Sequence, residues 1–289
     1  MAFLPITRRK FLGLAAATGV AAVGIDSVAL EPNLPQIVRR EIPLLRWPEH
    51  LDGFTIALLS DFHYEAYFSL HPLKSAIGMV NELKPDLIVL TGDFVSLPLF
   101  READKRVAAN AEPCGELLRQ MRAPHGLWAV LGNHDSFSDP DMVTDALRSK
   151  GIQVLLNQSA PIERNGARFW LTGVNDVMGG DADLDAALSG IPKDESTILL
   201  AHEPDYADYV MRHPVDLQLS GHSHGGQVRV PLLPVFYLPE LARKYVKGLF
   251  HIGPLTLYTN IGLGTVGVPI RLNCPPEITL ITVRTAAKR

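Results

Sequence analysis

Cysteine is scarce in this chain. Cys114 and Cys274 are two among 289 residues, too few for a disulfide framework. Neither stands at ligand spacing from another Cys or from a His, which excludes a thiolate metal site. They read as two buried free thiols, with one bridge in an oxidising compartment as the alternative. Long runs of one charge are missing as well. The net charge is −4, and past the first residues the basic side chains cluster in the short stretch Arg243, Lys244 and Lys247. That balance gives no general attraction to nucleic acid and no basic groove for a nuclease. Internal repeats and low-complexity tracts are absent after the first thirty residues, which speaks against a solenoid.

A long apolar run is also lacking. Leu14 to Ile25 is apolar and rich in Ala and Gly, yet shorter than the ~20 residues of a secure membrane span. It follows Thr7-Arg8-Arg9-Lys10-Phe11-Leu12. A basic segment before a short apolar one reads as a secretory signal, and the Arg pair before Phe-Leu resembles the twin-arginine export motif. Residues 1–30 are thus expected to be a twin-arginine-type signal or anchor. Ser27-Val28-Ala29 offers small residues for a signal peptidase, with Asp26 beside them as an unfavourable neighbour. The twin-arginine export machinery becomes an expected partner. The expected location is the periplasm or the outer face of the cytoplasmic membrane. Residues 31–50 read as a linker and leading strand.

What is abundant is apolar surface. With 47% hydrophobic residues the remainder can bury a large core, expected as one domain over residues 51–289. Buried strands are predicted at Thr55–Ser60, Leu87–Leu90 and Leu127–Leu131, because continuous apolar runs need both faces covered. Between them, helices are predicted at Leu70–Leu83, Ala103–Met121 (broken at Pro113) and Asp141–Lys150, the last ended by Gly151. After Gly151 the pattern turns to short strands at Val154–Leu156, Ile162–Arg164 and Arg168–Thr172. Asn165-Gly166 forms a hairpin turn between the last two. A short helix at Asp183–Leu188 precedes strands at Thr197–Ala201, Leu217–Ser220, Gln227–Val230, Leu255–Thr259 and Ile278–Val283. Alternation first and hairpins later argue for two mixed sheets packed face to face with helices outside.

Seven metal-type side chains stand just after these apolar runs: Asp61 and His63 in LLSDFH, Asp93 in IVLTGD, Asn133 in AVLGNHD, His202 in ILLAHEP, and His222 with His224 in LQLSGHSHGG. A strand that ends in a ligand delivers it to a sheet edge, so five such strands in one sheet would converge on one patch. Asp, Asn and His together suit manganese, iron or zinc, and a carboxylate can bridge two ions. Gly92, Gly132 and Gly221 precede ligands on strand exits, where tight turns favour glycine.

In this order the five segments D-x-H, G-D, G-N-H-D, lone His and G-H-x-H resemble the signatures of the calcineurin-like metallophosphoesterase superfamily. The stretch GHSHGGQVRVP and the tail NIGLGTVGVPIRLNCPPEITLITV resemble an exported bacterial branch of phosphodiesterase-like proteins. The resemblance implies a layered α/β/β/α sandwich. It implies one divalent or trivalent metal ion on Asp61, His63, Asp93 and His224, and a second on Asp93, Asn133, His202 and His222, with Asp93 bridging. It further implies a phosphodiesterase in which hydroxide between the metals attacks phosphorus in line. His134 would then assist the leaving group as the catalytic residue. Asp135 either hydrogen-bonds His134 or caps the turn. Glu203 and Asp205 read as local turn residues.

Departures from neighbouring branches narrow the reading. Ser96 stands where purple acid phosphatases carry a ligand Tyr. Leu131 and Asp135 replace the Arg and Glu of protein phosphatases. Pyrophosphatases of acylated UDP-glucosamine often carry Arg at the place of His134, though some keep the His. A pyrophosphatase of a lipid-linked or nucleotide-sugar diphosphate therefore stays as an alternative, beside a non-catalytic scaffold. The apolar, proline-stiffened stretch Pro231–Pro239 is either a buried connection or a wall beside the metals. A wall, followed by Arg243, Lys244 and Lys247, would suit an amphiphilic phosphoester at a membrane surface.

Overall fold

The computed structural model describes residues 7–98 and 105–287. Strands β1 (Gln36–Leu44), β2 (Phe54–Leu59), β3 (Leu87–Leu90), β4 (Leu127–Ala129) and β5 (Gln153–Val154) belong to a first sheet. A second sheet holds β6 (Gln158–Arg164), β7 (Ala167–Gly173), β8 (Thr197–Leu200), β9 (Leu217–Ser220), β10 (Gly248–Ile252) and β11 (Leu255–Thr259). The last strand, β12 (Glu277–Thr285), returns to the first sheet and lies between β1 and β2, parallel to one and antiparallel to the other. Strand order is β1-β12-β2-β3-β4-β5 in the first sheet and β10-β11-β9-β8-β7-β6 in the second. Both sheets are mixed, with central strands parallel.

The sheets pack face to face through an inner core that includes Ile56, Leu58, Val89, Val130, Leu171, Ile198, Leu219 and Ile281. The outer face of the first sheet carries Leu59, Ile88 and Leu90 against α2 (Leu70–Leu83), α4 (Ala111–Leu118) and α6 (Pro140–Ser149). Helix α2 presents Leu73, Ile77 and Val80 to that layer, the helical spacing expected for it. The outer face of the second sheet is covered by α7 (Leu184–Leu188) and α8 (Ala207–Val210) with Tyr245. Both continuous apolar strands and alternating ones thus find covered faces, and the result is a four-layer α/β/β/α sandwich. Two further helices complete the set, α3 (Lys105–Ala108) and α5 (Asn133–Ser138), and α1 (Arg8–Ile25) precedes the sandwich.

Several expectations need correction. The helix predicted from Ala103, whose start lies outside the described residues, breaks between α3 and α4 rather than at Pro113. Pro113 sits in the first turn of α4, where no intrahelical donor is lost. Gln227–Val230 is not a strand: Gln227 has φ 51°, and a single bridge joins Val228 to Leu272. Strand β10 was not among the strands expected from the sequence. The apolar start is longer than it reads, because a π-turn and a 3₁₀ turn extend α1 to Asn33. The helical stretch Arg8–Asn33 is long and apolar enough to cross a membrane. Both cysteines are buried free thiols in different places, Cys114 in the helical layer and Cys274 beneath Gly225.

Candidate metal centre

The seven ligand candidates and His134 gather at one end of the paired sheets, but not from one sheet. Asp61 and His63 follow β2, Asp93 follows β3, and Asn133 opens α5 after β4. His202 follows β8, while His222 and His224 follow β9 of the second sheet. The expected single edge is therefore a seam where the two sheets meet. Three sets bring their ligand atoms within 4.8 Å of one another: Asp61, His63 and His224; Asp93, His202 and His222; and His63, Asp93 and His134. Asp93 is shared by two of them, the placement a bridging carboxylate requires.

Local backbone explains how loops this short turn back so sharply. Asp61, His63, Asp93, His222 and His224 all have positive φ, between 41° and 67°. Left-handed backbone at side chains with a Cβ costs about 1–3 kcal/mol each and persists where the surroundings impose it. The glycines before them serve two purposes. Gly92 has φ 96° and meets the turn expectation. Gly132 and Gly221 do not have positive φ; they supply space. A Cβ on Gly132 would overlap Asp93 and His202, and one on Gly221 would overlap Ser60 and Asp61.

Hydrogen bonds fix which ring nitrogen faces inward. His202 Nδ1 donates to the Thr91 carbonyl at 2.6 Å, and its Nε2 lies 3.3 Å from Asp93 Oδ2. His222 Nε2 donates to the Glu240 carbonyl at 2.8 Å, which leaves Nδ1 with its lone pair free. Metal-binding imidazoles are commonly oriented by such carbonyl bonds. His63 and His224 bring their Nε2 atoms to 2.9 Å, with Asp93 and Asp61 at 3.4 and 3.3 Å respectively. Among the described residues, Asn133 Oδ1 and His202 Nε2 are buried without a hydrogen-bond partner. Buried polar atoms left unpaired are costly, so this donor set fits cations that would satisfy it.

Charge on the site is arranged accordingly. Burial holds His63 and His224 well below the ordinary imidazole range, with His134 next for His63 and Arg271 next for His224. Burial, then His202, brings His222 down to about 4. Burial also opposes charge on His202, but Asp93, Asp61 and Glu203 together raise its pKa. Burial would raise Asp93 too, but His202, His134 and His63 hold it well below the usual carboxylate range. The centre thus presents neutral imidazoles at His63, His222 and His224 and an ionised carboxylate at Asp93, while His202 favours its protonated form and would release that proton to a bound cation.

Asp135 does not touch His134. Its carboxylate accepts from the N–H groups of Asp93, Phe94, Val95 and Gly132 at 2.8–3.1 Å, so it caps the turn and latches the β3 exit. Burial and Asp93 push its carboxyl up to about 8, against four donors that favour the carboxylate. His134 is fixed by other groups. Its N–H donates to Asp93 Oδ1 at 2.9 Å, and Leu97 N–H donates to its Nδ1 at 2.8 Å. The neutral ring therefore carries its proton on Nε2. Glu203 and Asp205 lie outside the ligand sets; they sit at the 3₁₀ turn Pro204–Tyr206, and their side chains bond segments distant in sequence. Glu203 accepts from Val177 and Met178, and Asp205 from Arg243, Lys244 and Tyr245.

A cavity of about 710 Å³ opens over the site. Asp93, Asn133, His134, His222 and His224 form its floor, and Met178, Phe236, Tyr237, Pro239 and Val268 are among its walls. Pro231–Pro239 is thus not a buried connection: Leu232, Leu233, Phe236 and Tyr237 are exposed. Of the three basic residues beyond it, Arg243 lines the cavity. Lys244 pairs with Asp208 at 2.7 Å, and Lys244 and Lys247 line a separate hollow with Arg40 and Arg229. Sequence reasoning missed Thr91 and Glu240, which act through backbone carbonyls that any residue possesses. It also missed Arg271, whose buried guanidinium donates to the carbonyls of Ile261, Gly262, Gly264 and Cys274.

Residues 54–226 match the family model described as calcineurin-like phosphoesterase. The chain belongs to the calcineurin-like phosphoesterase family. Members are metal-dependent phosphoester hydrolases, and this chain is one. It is 35% identical to the uncharacterized metallophosphoesterase YkuE of Bacillus subtilis, over 96% of this chain and 98% of that protein. It is 32% identical to phosphodiesterase YaeI of Escherichia coli, again over 96% and 98%. A transmembrane protein with metallophosphoesterase domain from Danio rerio is 33% identical over 96% of this chain and 63% of that protein. Enzyme-family membership sets the scaffold reading aside.

Proposed function

We propose that the chain is a binuclear phosphodiesterase in which His134 assists the leaving group. Two metal ions, one on Asp61, His63, Asp93 and His224 and one on Asp93, Asn133, His202 and His222, would supply Lewis acidity and acidify the attacking water. Asp93 is suited to both because it borders two ligand sets. The observation that carries this role is the tautomer of His134. With Nδ1 accepting from Leu97 N–H, the neutral ring keeps its proton on Nε2 in a cavity-lining position, where it would donate a hydrogen bond to the leaving oxygen. As the P–O ester bond breaks, that hydrogen bond would stabilise the charge on the leaving oxygen, which takes its proton from water. Arg243 on the cavity wall offers positive charge to a phosphate oxygen.

Two features extend the reading. The apolar walls with one Arg suit an amphiphilic phosphoester more than a nucleotide-sized polar one. A lipid-linked or nucleotide-sugar diphosphate would use the same features, so pyrophosphate cleavage is the second reading. Export by the twin-arginine route, with residues 1–30 as signal or anchor, follows from Arg8-Arg9 before an apolar helix. Lys/Arg at the start of that helix favours a cytoplasmic N-terminus and an outward domain. YaeI is named a phosphodiesterase, and the Danio rerio relative a transmembrane protein, which supports the diesterase reading and a membrane anchor.

The test is metal analysis followed by hydrolysis of bis-p-nitrophenyl phosphate against p-nitrophenyl phosphate. Two metals per chain and faster diester cleavage are expected. Preference for the monoester, or full activity after metal removal, overturns the proposal.

A further inference from the structure

Topology puts the start of β1 at the ligand end of the sandwich. Strand β1 runs parallel to β12 and β12 antiparallel to β2, so β1 begins where β2 ends. The helical stretch that leads into β1 therefore arrives beside the metal centre. Its junction is fastened down. The Ser27 carbonyl accepts from Arg271 N–H at 2.9 Å, and the Glu31 carboxylate accepts from the N–H groups of Asn273 and Cys274. Ser27 and Pro32 are buried, while every residue of α1 itself is unburied. A helix bonded into the domain at its last turns leaves no tether to hold that domain away from a membrane.

Exposed apolar side chains, Val28, Leu30 and Phe68 among them, stand around the junction. Val28 and Pro32 share a hollow with Phe68 and Pro269. Asn273, tied to Glu31, also donates through its side chain to the Arg229 carbonyl and shares a second hollow with Leu232 and Leu233. Tyr67 is 89% exposed, and Leu232 is fully exposed at 105% while also holding φ 70°. An exposed leucine in left-handed backbone is unfavourable in water on both counts, and such features mark interaction surfaces. The cavity over the metal centre opens among these residues, with Phe236, Tyr237 and Val268 both lining it and exposed. Arg40, Arg229, Lys244 and Lys247 lie next to the patch, the charge complement to anionic headgroups.

Resting on the hydrolase reading above, we propose that this face lies on the bilayer entered by α1, so that the cavity takes its phosphoester from the lipid surface. The 26-residue stretch Arg8–Asn33 is about 39 Å long at ~1.5 Å per residue, enough to cross a ~30 Å hydrocarbon core. Its outer end, Asp26 to Leu30, then lies at the interface, and the residues bonded to it lie there too. The acyl part of an amphiphilic substrate would stay in the bilayer against Phe236 and Tyr237, with its phosphate reaching the metal centre.

The test uses the full chain in vesicles of phosphatidylcholine and phosphatidylglycerol with brominated acyl chains, which quench nearby tryptophan. Leu233→Trp emission should fall about twofold relative to unbrominated vesicles, for a side chain at the headgroup–acyl boundary. Lys193→Trp, placed before β8 at the opposite end of the sheets, should be unaffected. Equal quenching at the two sites, or none at Leu233→Trp, overturns the docking face. As a second measurement, Leu232→Asp with Leu233→Asp should raise KM for a vesicle-borne phosphodiester about tenfold and leave bis-p-nitrophenyl phosphate hydrolysis unchanged. Equal losses on both substrates overturn it. Failure of the metal-loaded parent to cleave the soluble diester would instead reject the hydrolase reading, and the quenching result would still stand.

Discussion

The two ends of the paired sheets treat left-handed backbone in opposite ways. At the end away from the metal centre, sharp turns fall on Gly53, Gly126, Gly151, Gly166 and Gly190, all with φ near 80°. Gly151, Gly166 and Gly190 have nothing within 4 Å of where a Cβ would sit, so conformation alone selects them. At the ligand end, five left-handed positions are held by Asp61, His63, Asp93, His222 and His224. Glycines there, such as Gly132 and Gly221, are needed because neighbouring ligands leave no room for a Cβ. The far end places glycine at most such turns, Lys84 and Asn165 excepted, and the ligand end places donors there, aimed at a shared point. Local rules therefore fail where the chemistry is.

The sharpest way to break the contrast is at Asp93. Asp93→Ala and Asp93→Gly should both abolish turnover and metal loading, since each removes a carboxylate facing His63 and His202. They should differ in stability: the glycine variant relieves φ 58° and should be more stable than the alanine variant by about 1 kcal/mol. Elemental analysis and denaturant midpoints read the two effects separately. Two retained metals in either variant would remove Asp93 from the bridging position.

His134 comes next. It stands near His63 and Asp93 as a third ligand set would, so leaving-group assistance and metal ligation must be told apart. His134→Ala should keep both metals and lower kcat by about 10²–10⁴-fold for poor leaving groups, and far less for p-nitrophenolate. Loss of a metal with equal rate losses for all leaving groups would make it a ligand instead.

Gly221→Ala should cost about 3 kcal/mol of stability and weaken metal binding, because the new Cβ must displace Ser60 and Asp61. A midpoint within error of the parent would show that the seam between the sheets is slack.

How much of this was readable follows from the same contrast. Strands β3, β9 and β11 match the sequence reading residue for residue: β3 is a continuous apolar run, and β9 and β11 alternate leucine with other side chains. The ligand candidates were legible because each stands within a few residues of the end of such a strand. Division of the ligands between two sheets was not legible, since a strand carries no mark of which sheet it joins. Gln227–Val230 has the alternation of a strand, yet Gln227 bends left-handed and its side chain bonds Val266 and Val268 instead. Tertiary contacts there overrode a local pattern.

Acid should undo the ligand end selectively. In the metal-free protein, burial and His202 hold His222 at about 4, whereas an unfolded imidazole titrates near 6.5. Between those values the unfolded chain binds a proton that the folded chain does not, so stability falls as pH drops from about 6.5 to about 4. His63 and His224, lowered by burial, act in the same direction. His202 is raised, so its contribution is present below about 6.5 and is lost only as pH rises through its folded pKa. Melting temperatures of chelated protein across this window should decline toward pH 4. With metals bound, protons compete for the same nitrogens and release should occur over the same window. A flat profile would mean these imidazoles are not buried neutral.

The smallest effect belongs to the far end. Gly166 closes the β6–β7 hairpin with φ 75°, next to Asn165 at φ 55°, and a Cβ there would meet nothing. Gly166→Ala should therefore cost about 1 kcal/mol, the penalty of left-handed backbone alone. Kinetic constants and metal content should not change, because the hairpin lies at the opposite end from every ligand candidate. Asn165→Gly should move stability the other way by a smaller amount, since Asn already tolerates this conformation. If Gly166→Ala lowered kcat at unchanged metal content, strain at the far end would be coupled through β7 and β8 to His202. The two ends would then be one mechanical unit, and the separation of conformational from functional strain would fail.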